Sequence, residues 1–384
     1  MTLPKSLFFV LAAIQVTAIP VAQGPQDSPL DKSVKLTGLS RAQQGHIIVP
    51  GGIAPEVQEL KPLYPNYAPG IKRTKIRYGK WTIPSVSDKT AMSLLSGEAG
   101  TMQNVKLNMK KPCEDCGLTL MQAGLEYADG TVANTDSGAW LHHIVLLMNG
   151  PNRKDVMCPF TPGQRFFSSG NERMMITYTD LENKKINSVY PMRKADNVFM
   201  QLELMNLKEE KKDVYITIDY EYMAKIPQGF KETKAVWLDV TGCGISSTSA
   251  PKGKSSFSMT STKWTAPYDG QLLSTGGHLH DGGVNVLSYQ DKKPICNAKA
   301  TYSKAPPMNP NPAKPSKVTR DGGHGNEDMP HIEDMSTCDL LSPFSKGQQF
   351  WIDANYDYGM HPGMKSVSGG QAEIMGIALM YVAV

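Results

Sequence analysis

Short β-prone runs separated by turn residues constrain the fold of this chain more than any other feature. From Thr74 onward these runs are bounded by Gly, Pro, Asn and Asp, and no helical period of useful length occurs. Strands are predicted at Lys75–Ile83, Val105–Met109, Leu118–Tyr127, Trp140–Met148, Met174–Tyr178, Val198–Leu204, Val214–Tyr222, Ala235–Val240, Ser255–Met259, Gly270–Leu273, Val284–Tyr289, Gln348–Asp357 and Glu373–Val384. The pair Asp129-Gly130 is typical of a hairpin turn, which favours antiparallel strands. The sequence therefore predicts an all-β fold.

We expect two antiparallel, jelly-roll-like β-sandwich domains in tandem. A chain of 384 residues is long enough for two domains, and the strand pattern is interrupted at Lys225-Ile-Pro-Gln-Gly-Phe-Lys, as at a linker. We therefore place the first domain at residues 71–225 and the second at residues 226–384. Residues 19–70 contain eight prolines and little periodicity, which predicts an irregular N-terminal arm.

Residues 1–18 have the features of a secretory signal peptide. Lys5 precedes the apolar run Leu7–Ile14, and Val16-Thr17-Ala18 supplies the small-residue ending. No later apolar stretch approaches the ~20 residues that span a bilayer. We therefore expect a secreted, extracellular protein that has no membrane attachment after cleavage.

The charge balance does not indicate a partner. The 40 basic and 36 acidic residues give a net charge of +4, which is too even to indicate a surface for nucleic acid. A hydrolase of the Gly-x-Ser-x-Gly type is not indicated either, because the motif does not occur. The expected partner is a small-molecule substrate.

Six cysteines in a secreted chain predict disulfides, and because three lie in each half, complete pairing needs an odd number of bridges between the halves. Cys113-Glu-Asp-Cys116 fits half of a zinc site or a redox pair, but structural disulfides suit an oxidising compartment better. Cys296 and Cys338 flank a long polar loop, so we expect them to be bonded. That bond would stabilise the fold by ~3 to 4 kcal/mol through loop closure.

A His-x-His segment gives the strongest chemical signal. His278 and His280 are separated by one residue on a predicted strand, so their side chains point the same way and can converge on one ion. Paired glycines at 276–277 and 282–283 would let the backbone bend and a small molecule approach. The alternative is two surface histidines that flank a leucine by chance.

A second imidazole pair, His142-His143, lies in the apolar run Trp140–Met148. Adjacent residues on a regular strand face opposite sides, so these two can share an ion only if the strand is locally distorted. Otherwise one of them is a hydrogen-bonded core histidine. Met375 lies in another apolar run, although most of the 21 methionines must simply fill the core.

A polar stretch follows the middle strands of the second half. Residues 303–320 carry five prolines and three lysines, which is typical of a solvated loop. Residues 321–334 hold His324, His331 and five acidic residues. A mobile polar loop fits this second segment better than a metal site built from oxygen and imidazole ligands.

These landmarks, in this order, resemble the type II copper, ascorbate-dependent monooxygenases, the group of peptidylglycine α-hydroxylating monooxygenase and dopamine β-monooxygenase. The paired histidines 142–143 are similar to a strand of that group's first copper domain, Gly277-His278-Leu-His280 to the His-x-His strand of the second, and Glu373-Ile-Met375-Gly to the methionine-ligand strand. Ile295-Cys296, Gly325-Asn326-Glu327 and Met335-Ser336-Thr337-Cys338 resemble most the secreted stress up-regulated nodulin family. The resemblance implies copper as cofactor, with ascorbate or another reductant.

The resemblance implies two copper sites that face each other across the domain interface. His278, His280 and Met375 would form one, and two imidazoles with a thioether are soft enough for Cu(I) yet able to hold Cu(II). His142 and His143 would form the other as a separate cluster. Its third histidine aligns with Glu203 here, so this electron-donating site would be degenerate.

The residues that clamp a substrate carboxylate in the peptide-hydroxylating members correspond to Gly276, Ile377 and Leu379. Nothing at these positions replaces a charged bidentate contact, so a C-terminal glycine peptide is not the expected substrate.

Two functions are consistent with this sequence. The first is a secreted copper-dependent oxidoreductase, of monooxygenase type, that acts on an unknown substrate, and it predicts turnover. The second is a non-catalytic secreted protein, metal-binding or structural and related to stress, that kept the scaffold and one copper site. It predicts binding without turnover.

Overall fold

The computed structural model describes residues 56–303 and 329–384. The predicted signal peptide, most of the N-terminal arm and His324 lie outside the described residues. Within the described part, no helix is long and apolar enough to cross a membrane.

Strands make up most of the described chain, and they confirm the all-β prediction. The first half contains β1 (Glu56–Leu60), β2 (Ile71–Ile83), β3 (Thr101–Met109), β4 (Cys116–Tyr127), β5 (Ala139–Asn149), β6 (Gln164–Ser169), β7 (Ile176–Thr177), β8 (Ser188–Met192), β9 (Asn197–Asn206) and β10 (Lys212–Met223). The second half contains β11 (Lys231–Asp239), β12 (Ser247–Thr248), β13 (Ser256–Thr260), β14 (Trp264–Thr265), β15 (Gly270–Leu279), β16 (Gly283–Gln290), β17 (Lys293–Tyr302), β18 (Ile332–Met335), β19 (Thr337–Phe344), β20 (Gln349–Asp357) and β21 (Ile374–Ala383).

Several elements were not predicted from the sequence, namely a short helix and the strands β1, β6, β8, β12, β14, β17, β18 and β19. The segment Glu56–Leu60, expected to be irregular, is a strand because its alternating residues pair antiparallel with the edge of β2. A six-residue helix, α1 (Ala91–Ser96), was not predicted because it is too short to show a helical period. It begins at Thr90, whose side chain accepts from the backbone N–H of Ser93, and ends at Gly97 in the left-handed region.

The strands form three sheets. The largest has the order β1-β2-β10-β4-β8-β11-β21-β15-β19, with β7 and β12 attached at its side. A six-stranded sheet has the order β13-β20-β16-β17-β18, with β14 attached to β20, and a four-stranded sheet has the order β3-β9-β5-β6. Apolar residues from all three sheets share one core, so β5 of the small sheet is held close to β15 of the large one.

The large sheet continues across the predicted domain boundary at residue 225. Strands β8 and β11 pair in parallel through Lys231 with Ser188 and Glu232 with Val189, whereas the other strand pairs are antiparallel. Strands from both halves therefore belong to one hydrogen-bonded sheet. The division into two jelly-roll-like domains stays a prediction.

The predicted turn and the predicted disulfide are confirmed. The backbone N–H of Gly130 donates to Tyr127 O at 3.0 Å and closes the hairpin at Asp129-Gly130. Cys296 is bonded to Cys338. The other bonds are Cys113 to Cys116 and Cys158 to Cys243, so a single bridge joins the two halves and no cysteine is free. Three disulfides are consistent with an extracellular protein.

A buried carboxylate, Glu221 on β10, fixes the segment that precedes β2. Its two oxygens accept the backbone N–H groups of Leu63 at 2.5 Å and Tyr64 at 3.1 Å. The side chain is fully buried, and this burial raises the pKa of Glu221 to about 7.

We expect Glu221 to make the fold less stable as the pH rises. The unfolded carboxyl loses its proton near its ordinary value of 4.5, whereas the folded one keeps it to about 7. The folded state therefore binds the extra proton, and the stability present below pH 4.5 is lost as the pH rises through 7. The test measures the free energy of unfolding in urea for Glu221→Gln and for the wild type. The value for the variant minus that for the wild type should increase by on the order of 2 kcal/mol from pH 4.5 to pH 8. If the variant and the wild type differ in free energy of unfolding by the same amount at both pH values, the prediction is wrong.

Candidate metal centre

The paired histidines lie at a break in the register of β5. Leu141 is opposite Leu204 on β9, and the next paired residue is His143, opposite Glu203, so His142 is the extra residue of a β-bulge. The bulge turns both rings to one side, with centroids 4.0 Å apart and planes inclined by 33°. This is the local distortion that the sequence argument required for the two to share a site.

The four histidines form one cluster, so the prediction of a separate His142-His143 cluster is wrong. The Nε2 atom of His143 lies 3.0 Å from Nε2 of His278 and 3.1 Å from Nε2 of His280. The rings of His142 and His280 are also adjacent, with centroids 4.9 Å apart. The reason is that β5 and β15 both contribute to one shared core, at whose edge their imidazoles meet.

The outer nitrogens of three rings are held by acceptors. The Nδ1 atom of His143 lies 3.0 Å from Glu203 Oε2, that of His278 lies 3.2 Å from Glu172 Oε1, and that of His280 lies 2.8 Å from the carbonyl oxygen of Glu373. A carboxylate or a carbonyl only accepts, so each Nδ1 carries the hydrogen and donates it. Metal-binding histidines are commonly oriented in this way.

The Nε2 atoms, on the other side of these rings, are placed to bind a metal ion. With Nδ1 protonated, a neutral imidazole presents a bare lone pair at Nε2, so the Nε2 atom of His143 faces those of His278 and His280 without a proton between them. His142, His143 and His280 each offer a donor atom, and these three atoms all lie within 4.8 Å of one another. Two imidazole nitrogens at about 2.0 Å from a tetrahedral ion would be ~3.3 Å apart. The distances of 3.0 and 3.1 Å between the Nε2 atoms are close to that value. The donor set therefore suits a transition metal.

Met375 lies at the start of β21, beside the cluster. It is buried in the main core, and because β15 and β21 pair Leu279 with Gly376, the next residues in register are His280 and Met375. The hydroxyl of Tyr356 connects them: its oxygen is 3.1 Å from the N atom of His280 and 2.5 Å from the O atom of Met375. The role of Met375 as a ligand stays a prediction.

The flanking glycines serve packing and turning rather than ligand access. A Cβ at Gly277 would lie 2.8 Å from Cβ of Val286, and one at Gly276 would lie 2.9 Å from Sδ of Met174. Gly282 has φ +91°, and a Cβ there would lie 2.3 Å from the ring of Tyr358. The expectation that these glycines let a small molecule approach the ion is therefore wrong.

Several residues at the site were missed by the sequence analysis. Glu98 and Glu172 are buried carboxylates on loops and carry no motif. His331, assigned to a mobile loop, is buried with Nδ1 2.6 Å from Asp281 Oδ2, and its ring lies 4.5 Å from that of Trp140. The buried contact between His331 and Asp281 orders this part of the polar stretch. No sequence signal marks these residues, because their partners are distant along the chain.

The buried charges shift the titration of the apo cluster. Burial lowers the pKa of His142, but the carboxylates of Glu98 and Glu203 outweigh it and raise the value to about 9. Burial and the neighbouring His142 lower the pKa of His143 to about 3. Burial raises the pKa of Glu98, whereas the neighbouring His142 and His143 overcome burial and hold the pKa of Glu203 well below its usual range.

A small pocket with a cavity volume of about 10 Å³, roughly the room for one water molecule, adjoins the imidazoles. Trp140, Ile332 and Met364 line it together with His278 and His280. The side chains of His143 and His278 are 15% and 14% exposed, whereas that of His142 is 3% exposed. Solvent therefore reaches the centre from the side of His143 and His278.

Comparisons with known proteins point to copper chemistry. No family model matches the chain. Probable copper-dependent oxygenase M1 of Phoma sp. is 29% identical over 311 residues, which are 81% of this chain and 72% of that protein. Probable copper-dependent oxygenase clz3 of Cochliobolus lunatus is 29% identical over 262 residues, which are 68% of this chain and 78% of that protein.

Solved structures give a weaker likeness. PNGase F, a glycosylasparaginase from Flavobacterium meningosepticum, has a TM-score of 0.36 at 10% identity and covers 81% of this chain and 95% of its own. PNGF-II has a TM-score of 0.34 at 10% identity and covers 79% of this chain, which spans 65% of PNGF-II, slightly less than two thirds. The two relatives of higher identity are thus both named as probable copper-dependent oxygenases.

Proposed function

We propose that the chain is a secreted oxidoreductase that binds copper at His143 and the imidazoles that surround its Nε2 atom. Copper at this point would supply one-electron exchange between a reductant and molecular oxygen. The proposed architecture is that of the type II copper monooxygenases, and ascorbate is the first reductant to test. The observation that carries the proposal is that His143 Nε2 lies 3.0 Å from His278 Nε2 and 3.1 Å from His280 Nε2, with all three rings oriented from their Nδ1 side.

The protein residues have separate tasks at this centre. Glu203, Glu172 and the carbonyl of Glu373 hold the three rings at fixed angles. Trp140 and Met364 line the pocket with apolar surface, which limits water around the imidazoles. A small substrate would approach along the side on which His143 and His278 are exposed.

We expect that a peptide with a C-terminal glycine is not the substrate. A side chain at Gly276 would meet Met174 and Thr337, so this position has no room for a basic clamp. Ile377 and Leu379, at the other two clamp positions, are buried and apolar. A substrate carboxylate would therefore find no charged partner at these positions.

Met375 is the proposed fourth ligand, supported by its register beside His280 and by the shared contact to Tyr356. Replacing Met375 by Leu keeps the volume but removes the thioether. Because a thioether favours Cu(I) over Cu(II), we expect Cu(I) affinity to fall by about tenfold and Cu(II) affinity to change little. Competition with chromogenic chelators for each oxidation state measures this, and equal losses for both states would contradict it.

Turnover distinguishes this function from a non-catalytic metal-binding protein. Protein produced in copper-containing medium should contain copper by elemental analysis and should consume oxygen when ascorbate or another one-electron reductant is added. His278→Ala should lose both properties. Copper binding with no oxygen consumption under any reductant would contradict the proposed activity and favour the non-catalytic alternative.

A further inference from the structure

A second group of ligands lies directly behind the three imidazoles. Glu98, His142 and Glu203 each offer one donor atom, and these atoms all lie within 4.8 Å of one another. The side chains of His142 and Glu98 are 3% and 7% exposed, and that of Glu203 is 15% exposed. The group is therefore buried between β5, β9 and the loop that joins α1 to β3.

The Nδ1 atom of His142 is the distinctive feature of this group. It is buried and has no hydrogen-bond partner among the described residues. It lies 3.7 Å from Glu98 Oε2 and 3.8 Å from Glu203 Oε2, too far for hydrogen bonds to either. Two ligand atoms at ~2.1 Å from one ion, at a ligand–ion–ligand angle near 120°, would be ~3.6 Å apart. The distances of 3.7 and 3.8 Å are close to this value, so a cation fits between the three atoms.

Among the described residues, the two carboxylates of the group form ion pairs only with histidines. Two carboxylates are buried side by side, and no lysine or arginine in the described part of the chain forms an ion pair with either of them. Thr101 Oγ1 and Gln103 Nε2 donate to Glu203 Oε1 at 3.2 and 3.0 Å, which leaves Oε2 directed towards the two histidines. Buried charges in proteins are usually paired or coordinate metals.

We propose that Glu98, His142 Nδ1 and Glu203 form a second cation site, distinct from the three-imidazole copper site. One imidazole and two carboxylates are harder donors than imidazoles with a thioether, so the site would take a divalent ion such as Zn²⁺ or Mn²⁺ rather than Cu(I). Glu203 belongs to both centres, because its Oε2 also accepts from His143 Nδ1. This site does not depend on the proposed copper chemistry.

The test uses the full chain, stripped of metal, given one equivalent of Cu(I) without oxygen and then titrated with Zn²⁺. Elemental analysis after desalting should give one copper and one zinc per chain. Glu98→Gln should weaken zinc at least about 100-fold and leave one copper bound. Glu114→Gln changes an acidic side chain that is 56% exposed, and it should retain both metals.

Two results would overturn the second site: wild-type protein that takes only one metal ion in total, or Glu98→Gln that binds zinc as tightly as wild type. X-ray absorption at the zinc edge of the wild-type protein decides the question even if Glu98→Gln does not fold. One imidazole with oxygen ligands is expected, and three imidazoles would place zinc in the copper site and refute the proposal. If Glu98→Gln loses zinc as expected but no copper is taken up in the experiment, the proposed copper function is refuted and the second site is not.

Discussion

Replacing His278 by alanine is expected to abolish copper binding without unfolding the protein. The change removes one of the two Nε2 atoms that lie 3.0 and 3.1 Å from Nε2 of His143. Loss of a residue that only orients a ligand already costs about 10- to 100-fold in metal affinity, so loss of the ligand itself should exceed about 100-fold. The side chain is partly exposed and its nearest contacts are polar, so little core packing is lost.

Copper content and competition with a Cu(I) chelator measure this effect, and far-UV circular dichroism reports the fold. His361→Ala is the matched control, because His361 stacks on Tyr302 with ring centroids 3.9 Å apart and is not among the four clustered histidines. It should keep a full equivalent of copper. A folded His278→Ala protein that binds copper as tightly as wild type would exclude the three-imidazole site.

The local part of the site could be predicted from the sequence, because it depends on strand periodicity alone. His278 lies in β15 and His280 directly follows the strand. Because side chains alternate between the two faces of a strand, residues two positions apart lie on the same face. The fold class follows from the same periodicity. The predicted runs coincide with strands since each has the residues and turn boundaries that a half-buried strand needs.

The arrangement of the four histidines could not be predicted in this way. His143 and His278 are separated by 135 positions, and their approach depends on how β5 and β15 meet in a shared core. The resemblance placed them in two separate sites. The bulge at His142 could not be predicted from the sequence either. It depends on the register of β5 against β9, and β5 contains no glycine or proline that would mark it.

The supporting carboxylates were missed for a related reason. Glu172 reaches His278 from a loop 106 positions away, and Glu98 reaches His142 from the turn after α1. Single acidic residues in loops are common and usually solvated, so their burial beside imidazoles becomes visible only in three dimensions. Glu203 was identified only because the resemblance placed it where a histidine would be.

Removing the bridge between the halves, Cys158–Cys243, is expected to destabilise the fold more than removing either other disulfide. The three bonds close separations of 85, 42 and 3 residues. Loop-closure entropy in the unfolded chain then gives contributions of roughly 4.5, 4 and 1.5 kcal/mol. Cys158, Cys296 and Cys116 are all buried, at 3%, 6% and 1% exposure, so the packing lost on mutation to alanine is similar and the order follows loop length.

Paired Cys→Ala variants of each bridge, unfolded in urea, measure this order. The Cys113→Ala/Cys116→Ala protein is the matched control, because it loses the same chemistry but almost no loop closure. It should remain about 3 kcal/mol more stable than the Cys158→Ala/Cys243→Ala protein. Equal stability of these two variants would show that strain or packing, rather than the entropy of the unfolded chain, sets the effect of the bridges. Because Cys158 and Cys243 lie in different halves, the larger loss would also show that this bond limits how far the two halves can separate when the chain unfolds.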